Sequence, residues 1–260
     1  MLNIHTISII TNLHCNLNCA GCNHFSPLAD AHFTSRENFD RLVERLSFLC
    51  GQHVNIGLVR LLGGETLLCP DIGYFIEKTR NCFDKSIIEV RTNGILLNKM
   101  NKDFYHLCKK NNVKITVSDY NIVSKNKYPD YRMLCREKFR YNYFSDVPSR
   151  NDSRCSLLSE CDGECLSRME YAQLNENGDL FFCCIPANIY NNYYKKNIPV
   201  RENDDYVNIY KISNYDFYRL VVKRFMVHQY VRTSFCDYCR TPCLGSWRRW
   251  DGYSNDWIIQ

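Results

Sequence analysis

The first 120 residues repeat one unit: an apolar strand, a loop, then an amphipathic helix. Residues 4–12, 54–62, 86–92 and 113–118 carry the near-continuous apolar runs of strands, and residues 36–49, 71–82 and 101–111 carry helical spacing between them. Thr34 or Ser35 stands where it can cap the first helix, with Glu37 in the first turn; Asp71, just after Pro70, can cap the second. Apolar strands alternating with helices argue for a parallel sheet, or a partial barrel, covered by helices. In such folds ligands gather at the carboxyl ends of the strands, so those ends are where chemistry is expected.

The rhythm changes beyond residue 120. Residues 120–131 are polar with scattered tyrosines, 132–140 read as a helix, and 147–154 read as a loop. Residues 171–175 and 180–184 alternate around Asn177-Gly178, a hairpin signal. A tyrosine-rich loop over 188–208 precedes a long helix over 215–230. A boundary near 145–155 divides the chain into domains 1–150 and 151–260.

The chain has 260 residues, 16 of them cysteine. A chain of this length buries enough surface to fold without disulfides. Apolar content of 45% excludes a disordered chain, and a formal charge of only +5 with no basic stripe gives nucleic acid no support. No run of 18 apolar residues occurs and no signal-peptide pattern opens the sequence, so the expectation is a cytoplasmic protein away from membranes. Cysteine there points to metal ligation or catalysis.

Cys15, Cys19 and Cys22 follow the first strand in the segment HCNLNCAGCNHF, spaced C-x3-C-x2-C. Three thiolates on one loop can converge on an iron–sulfur cluster and leave one iron of four open to a ligand. Zinc, with His14 or His24 as fourth ligand, is the competing reading. The segment resembles the signature of the radical S-adenosylmethionine (radical SAM) superfamily. The resemblance implies a [4Fe–4S] cluster on Cys15, Cys19 and Cys22. It further implies AdoMet on the open iron, cleaved by one electron to methionine and a 5′-deoxyadenosyl radical. The implied fold is α/β, a partial (β/α)6 TIM-like barrel with a small C-terminal auxiliary-cluster domain.

The second strand ends in Gly63-Gly64-Glu65-Thr66, similar to the GGE motif with which that family contacts the AdoMet amino group. Paired glycines permit a close backbone approach, and a carboxylate complements an ammonium. Thr92 and Asn93 end the third strand, and Ser118 and Asp119 end the fourth. The resemblance offers Asn93 and Ser118 as further AdoMet contacts. Gly21 stands where the family has an aromatic residue, and Phe25 is the ring nearest to hand. His24 and Arg60 are further site candidates.

Beyond Cys135 lie Cys155, Cys161, Cys165, Cys183, Cys184, Cys236, Cys239 and Cys243. Two pairs drawn from these can enclose a cluster or a zinc ion. The layout resembles the twitch domain, a short relative of the SPASM domain. That implies one auxiliary [4Fe–4S] cluster on Cys165, Cys183, Cys236 and Cys239, with Cys184 and Cys243 as extras. Cys50, Cys69, Cys82, Cys108 and Cys135 read as structural.

A fully ligated cluster suits an electron acceptor. The expected function is therefore hydrogen abstraction from a small polar substrate (a sugar, cyclitol or nucleotide-linked sugar), with oxidation or epimerisation. A flavodoxin- or ferredoxin-like reductant is implied. The alternative is a peptide-modifying maturase. Trp247, Arg248, Arg249 and Trp250 either grip an anionic substrate or close the barrel end.

Overall fold

The computed structural model describes residues 1–120 except 20, 21 and 23, residues 131–141 except 132 and 139, residues 171–188, residues 202–223 except 204, and residues 243–244. The alternating pattern folds as expected. Strands β1 (Leu2–Asn12), β2 (Val54–Gly63), β3 (Ile87–Thr92) and β4 (Val113–Asp119) alternate with helices α1 (Arg36–Cys50), α2 (Ile72–Cys82) and α3 (Lys102–Lys110). Ser35 caps α1 by accepting the Asn38 N–H at 3.1 Å, and Asn101 caps α3 by accepting that of Phe104 at 2.9 Å. Asp71 occupies the N-cap position of α2 without a side-chain cap bond. Its carboxylate pairs instead with Arg36, 2.6 Å away.

All four strands pair in parallel, in the order β4-β3-β2-β1. Residues 132–140 are not a helix. They form strand β5 (Leu134–Lys138), parallel to β4 with Ile115 opposite Leu134, and then the short β6 (Arg140–Tyr141). The open edge of β4 offers unpaired backbone groups, and pairing there outweighs the local helical preference of the segment.

The expected hairpin forms from β7 (Tyr171–Leu174) and β8 (Asp179–Phe181), antiparallel with Leu174 opposite Leu180. Gly178 takes φ +82° at the turn, and an added Cβ would stand 2.5 Å from the Tyr210 ring. The chain leaves β8 earlier than expected, and Cys184 opens the short helix α4 (Cys184–Asn188). The loop over 188–208 ends in a strand, β9 (Tyr206–Asn208), which extends the hairpin antiparallel to β8. The helix expected over 215–230 is described as α5 (Asn214–Val221). A separate pair joins β6 to β10 (Cys243–Leu244).

β7 lies parallel to β1 on the edge opposite β2, with Ser8 facing Gln173. Eight of the described strands thus make one mixed sheet, β5-β4-β3-β2-β1-β7-β8-β9, parallel from β5 to β7 and flanked by helices.

The two faces of this sheet differ. Ile7 and Ile9, Val59 and Leu61, Ile88 and Val90, and Val113, Ile115 and Val117 share one apolar core with Phe39, Leu42, Val43 and Leu46 of α1, Phe75 and Ile76 of α2 and Phe104 of α3. Phe39 and Phe75 stack at 4.0 Å between centroids. The alternate positions of the strands are polar: Ser8, Arg60, Glu89, Arg91, Lys114, Thr116, Tyr171 and Gln173. That second face departs from the expectation of apolar strands throughout. Among the described residues, no helix is long and apolar enough to cross a membrane.

Candidate active site

The loop leaving β1 carries the cysteine triad, and the end of β2 is pressed against it. Asn12 is the pivot. Its side-chain amide donates to the carbonyls of His14 at 2.7 Å and Glu65 at 3.1 Å. The Gly64 N–H donates to Asn12 O at 3.0 Å and the Glu65 N–H to His14 O at 2.8 Å. This contact requires both glycines. A Cβ on Gly63 would overlap Asn12, and one on Gly64 would overlap the His14 carbonyl and stand 2.7 Å from Leu13 O. The Gly-Gly pair therefore exists to let two backbones touch, and the result is Glu65 seated beneath the triad loop.

Glu65 is buried, 1% exposed. Its Oε1 accepts from Leu67 N–H at 3.0 Å and from the Thr92 hydroxyl at 2.6 Å; its Oε2 accepts from Asn93 N–H at 2.7 Å. The strand ends of β2 and β3 are thus tied through one carboxylate. Asn93 then reaches the triad loop, donating to the Asn16 side chain at 2.7 Å and lying 4.0 Å from the Cys15 sulfur. Cys15 accepts the Leu17 N–H at 3.4 Å. Phe25 closes the loop in a left-handed conformation, φ +53°, its N–H bonded to Cys22 O at 2.9 Å and its ring 1% exposed. A cavity of about 470 Å³ opens beside Cys15, lined also by His14, Asn16, Leu17, Asn18 and Ser26.

The electrostatics of this pocket are lopsided. Burial pushes the Cys15 thiol up to about 12, against the Leu17 hydrogen bond, and the nearby Cys22, Glu65 and Cys19 push the same way. Burial raises Cys22 as well. Burial also raises Glu65, despite the hydrogen bonds from Asn93, Thr92 and Leu67. Groups that ionise to anions are crowded where burial disfavours their charged forms. Cationic groups placed among them, such as iron and an ammonium, relieve that penalty. Among the described residues no three such side chains are gathered closely enough to hold a metal ion; the chemistry of the donors, three thiols with a carboxylate beside them, suits a thiolate-ligated cluster next to a cationic amino acid.

Of the other predicted residues, Ser118 lies at the carboxyl end of β4, half-buried. Tyr120, two residues on, is a neighbour of the site that sequence reading missed. Burial holds its phenol well above the ordinary value, and Cys19, Cys22, Cys15 and Glu65 add to the effect. His24 is pushed down to about 4, by burial first and then by the charge of Arg91. Arg60 lies on the polar sheet face, bonded to Glu89.

The second constellation is placed in part. Cys183 follows β8 half-buried, and Cys184 is buried. Cys243 belongs to β10. Cys165, Cys236 and Cys239 lie outside the described residues, as do Cys155, Cys161 and the segment 247–250. Cys50, Cys69 and Cys108 are buried as structural cysteines should be and Cys82 is half-buried, but Cys135 is exposed on β5.

No protein-family model matches the chain, and no curated protein matches it. Solved structures do. BtrN in complex with AdoMet and 2-DOIA superposes with a TM-score of 0.57 at 15% identity, covering 92% of this chain and 93% of that one. BtrN in an open conformation superposes with a TM-score of 0.57 at 16% identity, covering 92% of each. The chain shares the fold of BtrN. SuiB of Streptococcus suis bound to its precursor peptide SuiA also aligns, with a TM-score of 0.41 at 11% identity, over 86% of this chain and 66% of that one. At these identities the likeness is one of fold.

Proposed function

We propose that the protein is a radical SAM enzyme that takes a hydrogen atom from a small polar substrate. The observation that carries this reading is the seating of Glu65 by Gly63 and Gly64 directly against the loop of Cys15, Cys19 and Cys22. An electron carrier has no use for that carboxylate. In this reading the three thiolates hold a [4Fe–4S] cluster. With AdoMet it supplies one-electron cleavage to methionine and a 5′-deoxyadenosyl radical.

The chain's own residues do the rest. Glu65, oriented by hydrogen bonds from Leu67, Thr92 and Asn93, would pair with the AdoMet ammonium, whose charge would favour the carboxylate form. Gly63 and Gly64 let the backbone approach it. Asn93, Ser118 and Phe25 complete the AdoMet-contact set, and the buried Phe25 ring excludes water from the floor of the loop. Cys165, Cys183, Cys236 and Cys239 would hold a second [4Fe–4S] cluster, and full ligation would leave it electron-transfer chemistry rather than substrate binding. Oxidation of the substrate carbon would require it to lose a hydrogen atom, a proton and an electron, and the second cluster would supply a site for that electron.

Peptide modification is the second reading. Separating low-mass metabolites from peptides, and asking which pool accelerates 5′-deoxyadenosine formation, decides between the two.

The core reading is tested by anaerobic reconstitution with iron and sulfide, reduction, and addition of AdoMet. Formation of 5′-deoxyadenosine and methionine is expected; none, on a protein with an intact open-iron cluster, overturns it. Two clusters predict about eight iron per chain, falling to about four in the Cys236→Ala, Cys239→Ala variant.

A further inference from the structure

Helices α1 and α5 together carry a surface of aromatic rings and arginines. Arg41, Arg45 and Phe48 recur along α1 at the spacing of one helix face. α5 lies beside that face, with the Asn214 side chain donating to Phe48 O at 3.1 Å, and it adds Tyr215, Tyr218 and Arg219. Ring contacts join the two helices into one patch. Arg41 lies over the Tyr210 ring at 5.4 Å, Arg45 over Phe48 at 5.4 Å and Arg219 over Tyr215 at 5.7 Å. Arg45 also donates to the carbonyls of Ile209 at 2.8 Å and Ile212 at 2.6 Å, which fixes its guanidinium in the seam. His53, just before β2, stands edge-on to Tyr218 with 6.1 Å between centroids.

Two features set this patch apart from an ordinary solvated face. The first is open rings: Phe48 is 62% exposed, Tyr215 70% and Tyr218 40%. Arginine stems laid over packed rings are common, but they do not account for a phenylalanine more than half exposed beside two open tyrosines. The second is charge. Arg41, Arg45 and Arg219 make no ion pair among the described residues. The carboxylates close by are engaged, Glu44 with Lys78 and Asp216 with the Ser213 hydroxyl at 2.7 Å. Three guanidiniums are left without a bonded counter-ion, among rings that water covers. Arginine and aromatic residues are the groups that carry most binding energy where proteins meet.

We propose that this patch docks a partner protein through an acidic segment with apolar side chains between its carboxylates. The carboxylates bond the guanidinium forks, and the apolar side chains cover the rings. A nucleic acid fits less well, because the chain has a formal charge of only +5 and no basic stripe. The place of the patch also matters. His53 stands at the amino end of β2, whereas the cysteine loop leaves the carboxyl end of β1, and the two strands are parallel. A partner held at His53 and Tyr218 therefore leaves the candidate active site open. The inference does not depend on the radical SAM reading.

The test is fluorescence anisotropy of a labelled peptide composed of Glu, Asp, Leu and Phe, titrated with the full chain. Two further probes are its Gln and Asn counterpart and a single-stranded oligonucleotide. The acidic peptide is expected to bind saturably, and the neutral one at least about tenfold more weakly. Phe48→Ala, Tyr215→Ala and Arg219→Gln should each weaken the acidic peptide about tenfold. All three positions are exposed, so a variant that misfolds leaves the others to decide. Lys110→Gln removes an equal charge from the exposed side of α3 and should leave the affinity unchanged. Absence of saturable binding overturns the proposal, as does equal binding of the neutral peptide or tighter binding of the oligonucleotide. Unchanged affinity in the patch variants overturns it too, and so does a Lys110→Gln loss as large as that of Arg219→Gln.

Discussion

Gly64→Ala is expected to lose the triad cluster: iron falls from about eight to about four per chain, and 5′-deoxyadenosine formation disappears. The added Cβ overlaps the His14 carbonyl and stands 2.7 Å from Leu13 O, and both obstacles are backbone. No rotamer change relieves them. The loop that begins at Asn12 must lift, and the bonds from Gly64 N–H to Asn12 O and from Glu65 N–H to His14 O go with it. Overpacking of this kind costs about 1–3 kcal/mol, which the large sheet tolerates, so the chain should fold with a displaced Cys15 loop. Gly73→Ala is the control. Its Cβ meets only Leu107 Cδ1, at 3.6 Å, in the first turn of α2, so it should gain about 0.4–1 kcal/mol and keep all its iron. Iron and sulfide assays beside thermal melts separate the two. Full iron in Gly64→Ala would mean that the contact between β2 and the loop does not position the cysteines.

The strands, the helices and the Gly-Gly-Glu turn were legible because each is written locally. Apolar spacing marks the elements, Ser35 marks the start of α1, and Asn177-Gly178 marks the hairpin. What escaped reading is decided by partners far along the chain. Leu134–Lys138 becomes a strand because β4 presents an open edge, and Tyr206–Asn208 because β8 does. Neither edge is visible in the segment itself. Thr92 and Asn93 could be named as a strand end, yet nothing local says that both bond Glu65, 27 and 28 residues away. Tyr120 was read as part of a polar stretch, although it stands beside the three cysteines. The buried charge of Glu89 had a faint signal: a carboxylate and two arginines inside two otherwise apolar strands. A charge costs too much in such a strand unless a partner faces it, so that pattern announces a buried polar face.

Arg60→Met should reverse the pH dependence of stability that Glu89 imposes. In the native protein burial pushes the Glu89 carboxyl up, but the charges of Arg60 and then Arg91, with hydrogen bonds from Thr116 and Arg60, outweigh it and hold it below its ordinary 4.5. The folded state then binds a proton less readily than the unfolded chain. Its contribution to stability is complete above about pH 4.5 and is lost as pH falls through the lower folded value. Removing Arg60 takes away the largest opposing charge, so burial governs and the carboxyl rises above its ordinary value. At neutral pH the variant should lose about 3–5 kcal/mol, because a sealed carboxylate has lost its bonded counter-ion. Part of that loss should return as pH falls toward 4.5 and the carboxyl takes up a proton. Urea unfolding across this range reads the two slopes directly: stability falling with acid in the native protein, rising in Arg60→Met. Adding Glu89→Gln to Arg60→Met should flatten the variant's slope, since the titrating carboxylate is gone. Parallel slopes in the native protein and Arg60→Met would show that Arg91 and Lys114 alone hold the charge, and that Arg60 contributes packing.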